Sequence, residues 1–381
     1  MTVCVAAEAK PAKRASFQGL GDLPSGIFSS IALDVSADGS TVVGSSAVKV
    51  EPCCGEAEDT EEAFRWTQEG GMQRLGDLPG GIFSSTATKV SADGSIVVGS
   101  SSSFGFRGYP FRWTQKNGIE QLRDTAFRGE SYFVSGLSAD GSIVVGIKRG
   151  AAVGPDLFRW TQKNGEEIIL GSGVDPIYPP GLSANGSVIA VYYYNQAVRV
   201  NQKGKIKKLG DLPGGKSFSA VTAISANSST IVGVSGSTNG DEAFRWRRKR
   251  GMQGLGDLPG GKFYSIANDV SRNGSIVVGS SESANGREAF IWNRKKGMRS
   301  LQEILTNEFA IDLTGWKLEE ATAISDNGLT IVGNGKNPDG NQEAWIVRLR
   351  EIDDDGNEID DDENEIDDDE NEIDDDKNEI D

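Results

Sequence analysis

The residues of this chain that could do chemistry are carboxylates, serines and cations, because its 381 residues include no histidine. Histidine is the usual acid–base group near neutral pH and the commonest metal ligand, so proton transfer would fall to Asp and Glu. Paired carboxylates cleave glycosidic bonds, about 5 Å apart in retaining chemistry and farther apart in inverting chemistry. Asp34, Asp269 and Glu319 or Glu320 are the candidates, but spacing alone does not assemble them into a set. Seven serines stand out by recurrence: Ser36, Ser91, Ser138, Ser183, Ser225, Ser271 and Ser325. Each is followed two residues on by Asp or Asn. A catalytic serine would occur once, so a motif repeated every 42 to 55 residues points to a turn. The aspartates of the recurring LGDLP loop, Asp22, Asp77, Asp211 and Asp257, read likewise as acceptors of backbone N–H groups.

The elements that must position these residues follow from the repeat. Each unit reads as four short strands. Strand a ends in "VS", and "ADGS" makes a tight turn suited to a hairpin. Strand b is the β-branched "IVVG", strand c is "AFRWT" and strand d is "GMQRLG", followed by a Pro/Gly loop. Units of this length with four strands match propeller blades. The expected fold is all-β: a seven-bladed β-propeller of four-stranded antiparallel blades over residues 16–350. It is preceded by a flexible segment, 1–15, and followed by a disordered acidic tail, 351–381. A β-helix is the structural rival. The last unit has no strand d after Trp345, whereas Ser16–Pro24 is a strand d with no unit before it. The segment around Phe17–Leu20 is therefore expected to pair with strand c of the last unit, so that the N-terminal strand closes the ring and removes its open edges. The fourth unit is the weak copy. Val191 replaces the Gly of "IVVG", and Val198-Arg199-Val200 replaces the Phe-Arg-Trp of strand c. The recurring Trp is read as packing between blades.

Binding suits the remaining residues better than catalysis does. In an a-b-c-d meander the b–c and d–a loops share one face of the disc, and the a–b and c–d turns share the other. The b–c loops vary most, and variable loops on a rigid scaffold are where recognition resides. Phe104, Phe106, Arg107 and Tyr109 of the second unit are the candidate set on that face. The c–d turns of units four to six form a second set. They gather Lys203 and Lys205, then Arg247, Arg248, Lys249 and Arg250, then Arg294, Lys295 and Lys296 into a basic sector fit for a polyanion.

The net charge of −17 conceals an uneven distribution. Residues 351–381 hold 20 acidic residues and one Lys, whereas the other 350 residues hold 36 acidic and 38 basic. The tail repeats "EIDDDEN" with one Ile per seven residues, too few for a coiled-coil seam. It is expected to be solvated, and it could fold back to mask the basic sector. Cys4, Cys53 and Cys54 are odd in number and two are adjacent, so no disulfide framework is expected. No metal site and no cofactor is read from the sequence. No signal peptide and no membrane-spanning stretch is visible, and a monomer without specific nucleic-acid binding is expected.

The pattern "GLGDLPGG…VSADGSIVVGSS…EAFRWT…GM", together with the closing unit from Leu313 to Trp345, resembles the HAF-type repeat of bacterial proteins described as extracellular repeat proteins. The resemblance covers nearly all of residues 17–349. It implies a propeller-like domain, often exported, with no established activity. The expected function is a non-enzymatic binding or scaffold propeller for a protein or polysaccharide partner. The alternative is a carboxylate-based hydrolase or lyase acting on carbohydrate.

Overall fold

The protein is described by a computed structural model over residues 12–24, 27–50, 58–79, 83–103, 107–122, 130–150, 154–175 and 177–352. The acidic tail beyond Ile352 and residues 1–11 lie outside the described residues.

The recurring serine builds the hairpin between strands a and b. In the first unit Ser36 Oγ donates to Asp38 Oδ1 and accepts the Thr41 N–H at 3.0 Å, while the Ser40 N–H binds the same Asp38 oxygen at 2.9 Å. The same pair of serine bonds recurs in the last unit, on Asn327 and Thr330. Strand b then carries, within its length, a Gly that both neighbouring strands demand. A Cβ on Gly99 would lie 2.0 Å from the Thr86 carbonyl oxygen and 2.8 Å from the buried Phe111 ring. The fourth unit changes both partners at once: Val191 faces Val198, where five units set Gly against Phe and the last sets Gly333 against Trp345. Its strand a shrinks to Gly181–Leu182. The departure from the repeat is thus a compensated repacking, in which an aliphatic pair fills the space of one aromatic ring.

Among the described residues the chain is all-β except for one short helix, α1 (Leu301–Asn307). The expectation of seven four-stranded blades is corrected. The strands form five four-stranded sheets and one sheet of eight strands. The larger sheet holds the fifth and sixth repeat units. Its cause is local: the "GGKSF" and "GGKFY" loops extend strand a to 11 residues in Gly214–Ile224 and Gly260–Val270. The second of these runs far enough to form a parallel bridge, Asp241 to Tyr264, with strand c of the unit before it.

The ends of the chain meet. β1 (Ala12–Gly19) pairs antiparallel with Gln342–Ile352, with Phe17 opposite Val347 and Gly19 opposite Trp345. The Leu20 N–H continues the ladder to the Ala344 carbonyl at 2.8 Å. Leu20 and Trp66 share a core cluster with Ala323, Val332 and Ile346 of the last unit. Around the axis, the a–b turns are joined head to tail by backbone bonds: Ala92 N to Ala139 O, Ala139 N to Ala184 O, and Ala184 N to Ala226 O. The same series continues from Arg272 N to Asp326 O and from Asp326 N to Ala37 O, which brings the last unit back to the first. Four of the strand-c tryptophans, Trp66, Trp113, Trp246 and Trp345, are buried, and Arg245 lies over Trp292 of the following unit at 5.5 Å.

Candidate binding site

Two clusters of charge stand out in this frame, one on the axis and one at the rim. The axial cluster comes from the residue two before the motif serine. In unit order that position holds Asp34, Lys89, Gly136, Gly181, Ala223, Asp269 and Ala323. The first six line a central cavity of about 150 Å³, with Ser135 and Thr222 beside them. Asp34 and Asp269, which sequence spacing could not unite, therefore face one channel. Glu320 does not join them, because it pairs with Arg287 at 2.9 Å and accepts from Asn268 at 2.8 Å.

Each axial carboxylate is already engaged. Asp34 Oδ1 binds Lys89 Nζ at 3.0 Å, and its Oδ2 accepts the Val90 N–H of the next unit at 2.9 Å. Asp269 repeats the device by accepting the Ile324 N–H of its own next unit at 2.9 Å. Burial alone would push the Lys89 ammonium down, but Asp34 and Asp269 hold it above the usual lysine range. Burial raises Asp269 to about 6, against the attraction of Lys89. These groups neutralise one another and staple neighbouring units. An ammonium lies against Asp34, where glycosidic chemistry would need free carboxylates and a sugar.

The rim cluster is different in kind. Strand d of the sixth unit, Gly297–Ser300, runs directly into α1. Ser300 caps the helix and its Oγ accepts the Glu303 N–H at 3.3 Å. The helix buries Leu301, Ile304 and Leu305 against Trp345 and Val347. Between α1, the c–d turn of the sixth unit and the departing end of strand Gln342–Ile352 lies a groove of about 330 Å³. Ile276, Ile291, Leu301, Ile304, Phe309 and Leu349 make its apolar floor. Among the described residues, Arg294, Lys295, Lys296, Arg299 and Arg350 line it against one carboxylate, Glu308. Glu308 is shared between Arg299 and Lys296, the latter at 3.7 Å. The Arg299 Nε is buried with no hydrogen-bond partner among the described residues.

Three of the basic residues read from the sequence, Arg294, Lys295 and Lys296, thus share a groove, and all three are exposed. Arg248, Lys249 and Arg250 are exposed on the neighbouring c–d turn, whereas Arg247 is buried in strand Asp241–Arg247. Lys203 and Lys205 belong to the turn region of the fourth unit. Of the candidates expected on the opposite face, Phe104 and Phe106 lie outside the described residues. Arg107 opens strand Arg107–Thr114, and its side chain is likewise outside the description. Tyr109 is half-buried against the cluster of Leu75, Phe111 and Trp113. The aromatics that do gather on this side are Tyr178, Tyr192 and Phe218, with ring centroids 5.1 to 5.9 Å apart. The sequence also spells a phosphate-loop pattern, "GDLPGGKS" at 210–217. It leads into strand Gly214–Ile224 instead of a helix N-terminus, so it forms no phosphate cradle.

Blade-like sheets set around an axial channel, with the two chain ends paired, decide the architecture. The chain is a β-propeller. A solved oligogalacturonate lyase in complex with manganese superposes with a TM-score of 0.55 at 13% identity, covering 90% of this chain and 98% of that one. TolB from Acinetobacter baumannii matches at a TM-score of 0.46 and 10% identity, over 85% of this chain and 83% of its own. At such identities the likeness is one of fold. No known family and no curated protein matches the sequence, so the HAF-type resemblance gains no support from these comparisons. No helix among the described residues is long and apolar enough to cross a membrane.

Proposed function

We propose that this propeller is a non-catalytic binding protein whose rim groove takes an acidic peptide segment of a partner protein. The observation that carries this reading is the composition of the groove: five cations and one carboxylate around an aliphatic and aromatic floor. A pure polyanion would satisfy the rim and leave the floor wet. A peptide that sets isolated aliphatic residues among Asp and Glu satisfies both. The axial channel supports the non-catalytic reading, because its carboxylates are engaged by Lys89 and by backbone N–H groups. The carbohydrate-cleaving alternative would require those staples to release. Following the HAF-type resemblance, we propose that the protein is exported and meets an extracellular partner.

The test is a titration of the full chain with three labelled probes: an acidic peptide containing spaced Leu residues, poly-glutamate, and heparin. The Leu-containing peptide is expected to bind most tightly, and the variant R294E/K295E/K296E to lose about tenfold or more, equivalent to 1.4 kcal/mol. Equal binding of all three probes, or no effect of the variant, would reject the groove as the site.

A further inference from the structure

We propose that the groove is occupied in the resting protein by the chain's own C-terminal heptads, which act as an internal competitor. The inference rests on reading the groove as an acidic-peptide site, and it names the segment that fills it. Three observations carry it. First, the strand that ends at Ile352 passes along the groove, with Leu349 and Arg350 in its wall. The tail therefore leaves the fold at the site itself. Second, the charges are complementary. Residues 351–381 hold 20 acidic side chains and one Lys, and they emerge beside the basic rim. Third, the pattern fits the floor. Ile359, Ile366 and Ile373 recur every seventh residue, each with Glu before it and three Asp after it, and Ile380 follows at the same spacing between Glu379 and Asp381.

Reach does not oppose the contact. Seven extended residues span at most about 23 Å, and Gly356-Asn357 lies between Ile352 and Ile359. A Gly-Asn pair is suited to reversing the chain, which would return Ile359 towards Leu301 and Phe309 while its acidic neighbours meet Lys295 and Lys296. The repetition has a further consequence. Four nearly equivalent Ile-centred segments compete for one groove, so the local concentration of ligand is high whichever heptad docks. An outside peptide must displace them, and salt weakens both contacts together.

The experiment keeps the chain whole until it has folded. A sequence-specific protease site is placed after Ile352, the purified full-length protein is cut, and the fragments are passed over a sizing column at low and high salt. The released tail is expected to co-elute with the body at low salt and to separate at high salt. Replacing Ile359, Ile366, Ile373 and Ile380 by Ser, or making R294E/K295E/K296E in the body, is expected to weaken retention about tenfold or more. Separation of the wild-type tail at low salt would overturn the inference. So would equal retention of the Ser-substituted tail, since charge alone would then suffice. A concentration-dependent dimer of the uncut chain, lost in the Ser variant, would place the tail on a second copy and overturn docking in cis. If the tail fails to bind while a separate Leu-containing acidic peptide still does, this inference falls and the proposed function stands. If the tail binds, and no foreign peptide binds even to the body from which the cut tail has been separated at high salt, the proposed function falls instead.

Discussion

At the axis, charges of opposite sign alternate and meet. At the rim, charges of one sign accumulate and surround an apolar floor. The two clusters are built from the same repeat, so the difference shows what each does. Asp34 and Lys89 occupy equivalent positions on the inner strands of the first and second units, and Asp269 holds the same position in the sixth; Asp34 pairs with Lys89, and both carboxylates accept an N–H of the next unit. Such a cluster holds a ring together. Arg294, Lys295, Lys296 and Arg299 gather on one turn and its adjoining strand, and among the described groove residues the one carboxylate, Glu308, bridges Lys296 and Arg299. Such a cluster is poised for a ligand of opposite charge.

The largest expected effect comes from opening the ring on which both clusters depend. Removing residues 1–22 takes away β1 and Leu20, and with them the partner strand of Trp345. The loss of that burial should cost about 5 kcal/mol or more, seen as a sharp fall in melting temperature. Next is Lys89→Met, which leaves Asp34 without its cation beside Asp269. The pair is half-buried, with the ammonium one-third exposed, so removing the cation should cost about 2 kcal/mol, between the surface and the buried cases. Calorimetry should show the drop, and D34N/K89M should recover part of it. An unchanged K89M melt would mean that the axial cluster does not staple the ring. By contrast, R294E/K295E/K296E at the rim should change folding stability by no more than about 0.5 kcal/mol while it weakens peptide binding.

A smaller effect separates the clusters by pH. Asp269 is raised to about 6, so the folded state binds its proton more tightly than the unfolded chain does. Its contribution therefore favours folding increasingly as pH falls from about 7 through 6 towards 4, and D269N should flatten that part of the stability profile. Asp93 and Asp140 act with the opposite sign. Hydrogen bonds, first from Ser91 and Ser138, lower their pKa. Their contribution is present above pH 4 and is lost as the solution becomes more acidic. The smallest effect belongs to Arg272→Ala, which breaks an exposed pair with Asp326 at 3.1 Å and should cost no more than about 0.5 kcal/mol.

Much of this frame is legible in the residues. The motif serines, the orphan strand at Phe17 and the missing strand after Trp345 announce hairpins and a closed ring. What escapes is whatever depends on registering units against one another. Asp34, Lys89 and Asp269 look unrelated until each is counted back from its own serine. The eight-stranded sheet depends on the second of two extended glycine-rich loops reaching strand c of the unit before it, Tyr264 to Asp241, a pairing between units that neither loop spells by itself. The groove is hidden because α1 replaces the usual "GDLPGG" loop. Its signal was present in "SLQE" at Ser300–Glu303, a cap with Glu three residues on. Phe104 and Phe106 lie outside the described residues, and the described cations that share a groove are those of the rim.

The most direct test of the central claim is titration of a labelled acidic peptide with spaced Leu residues against the full chain and against R294E/K295E/K296E, at low salt. Binding to the wild type that falls about tenfold or more in the variant, with both proteins melting alike, is the predicted result. Equal affinity for the two proteins would contradict it.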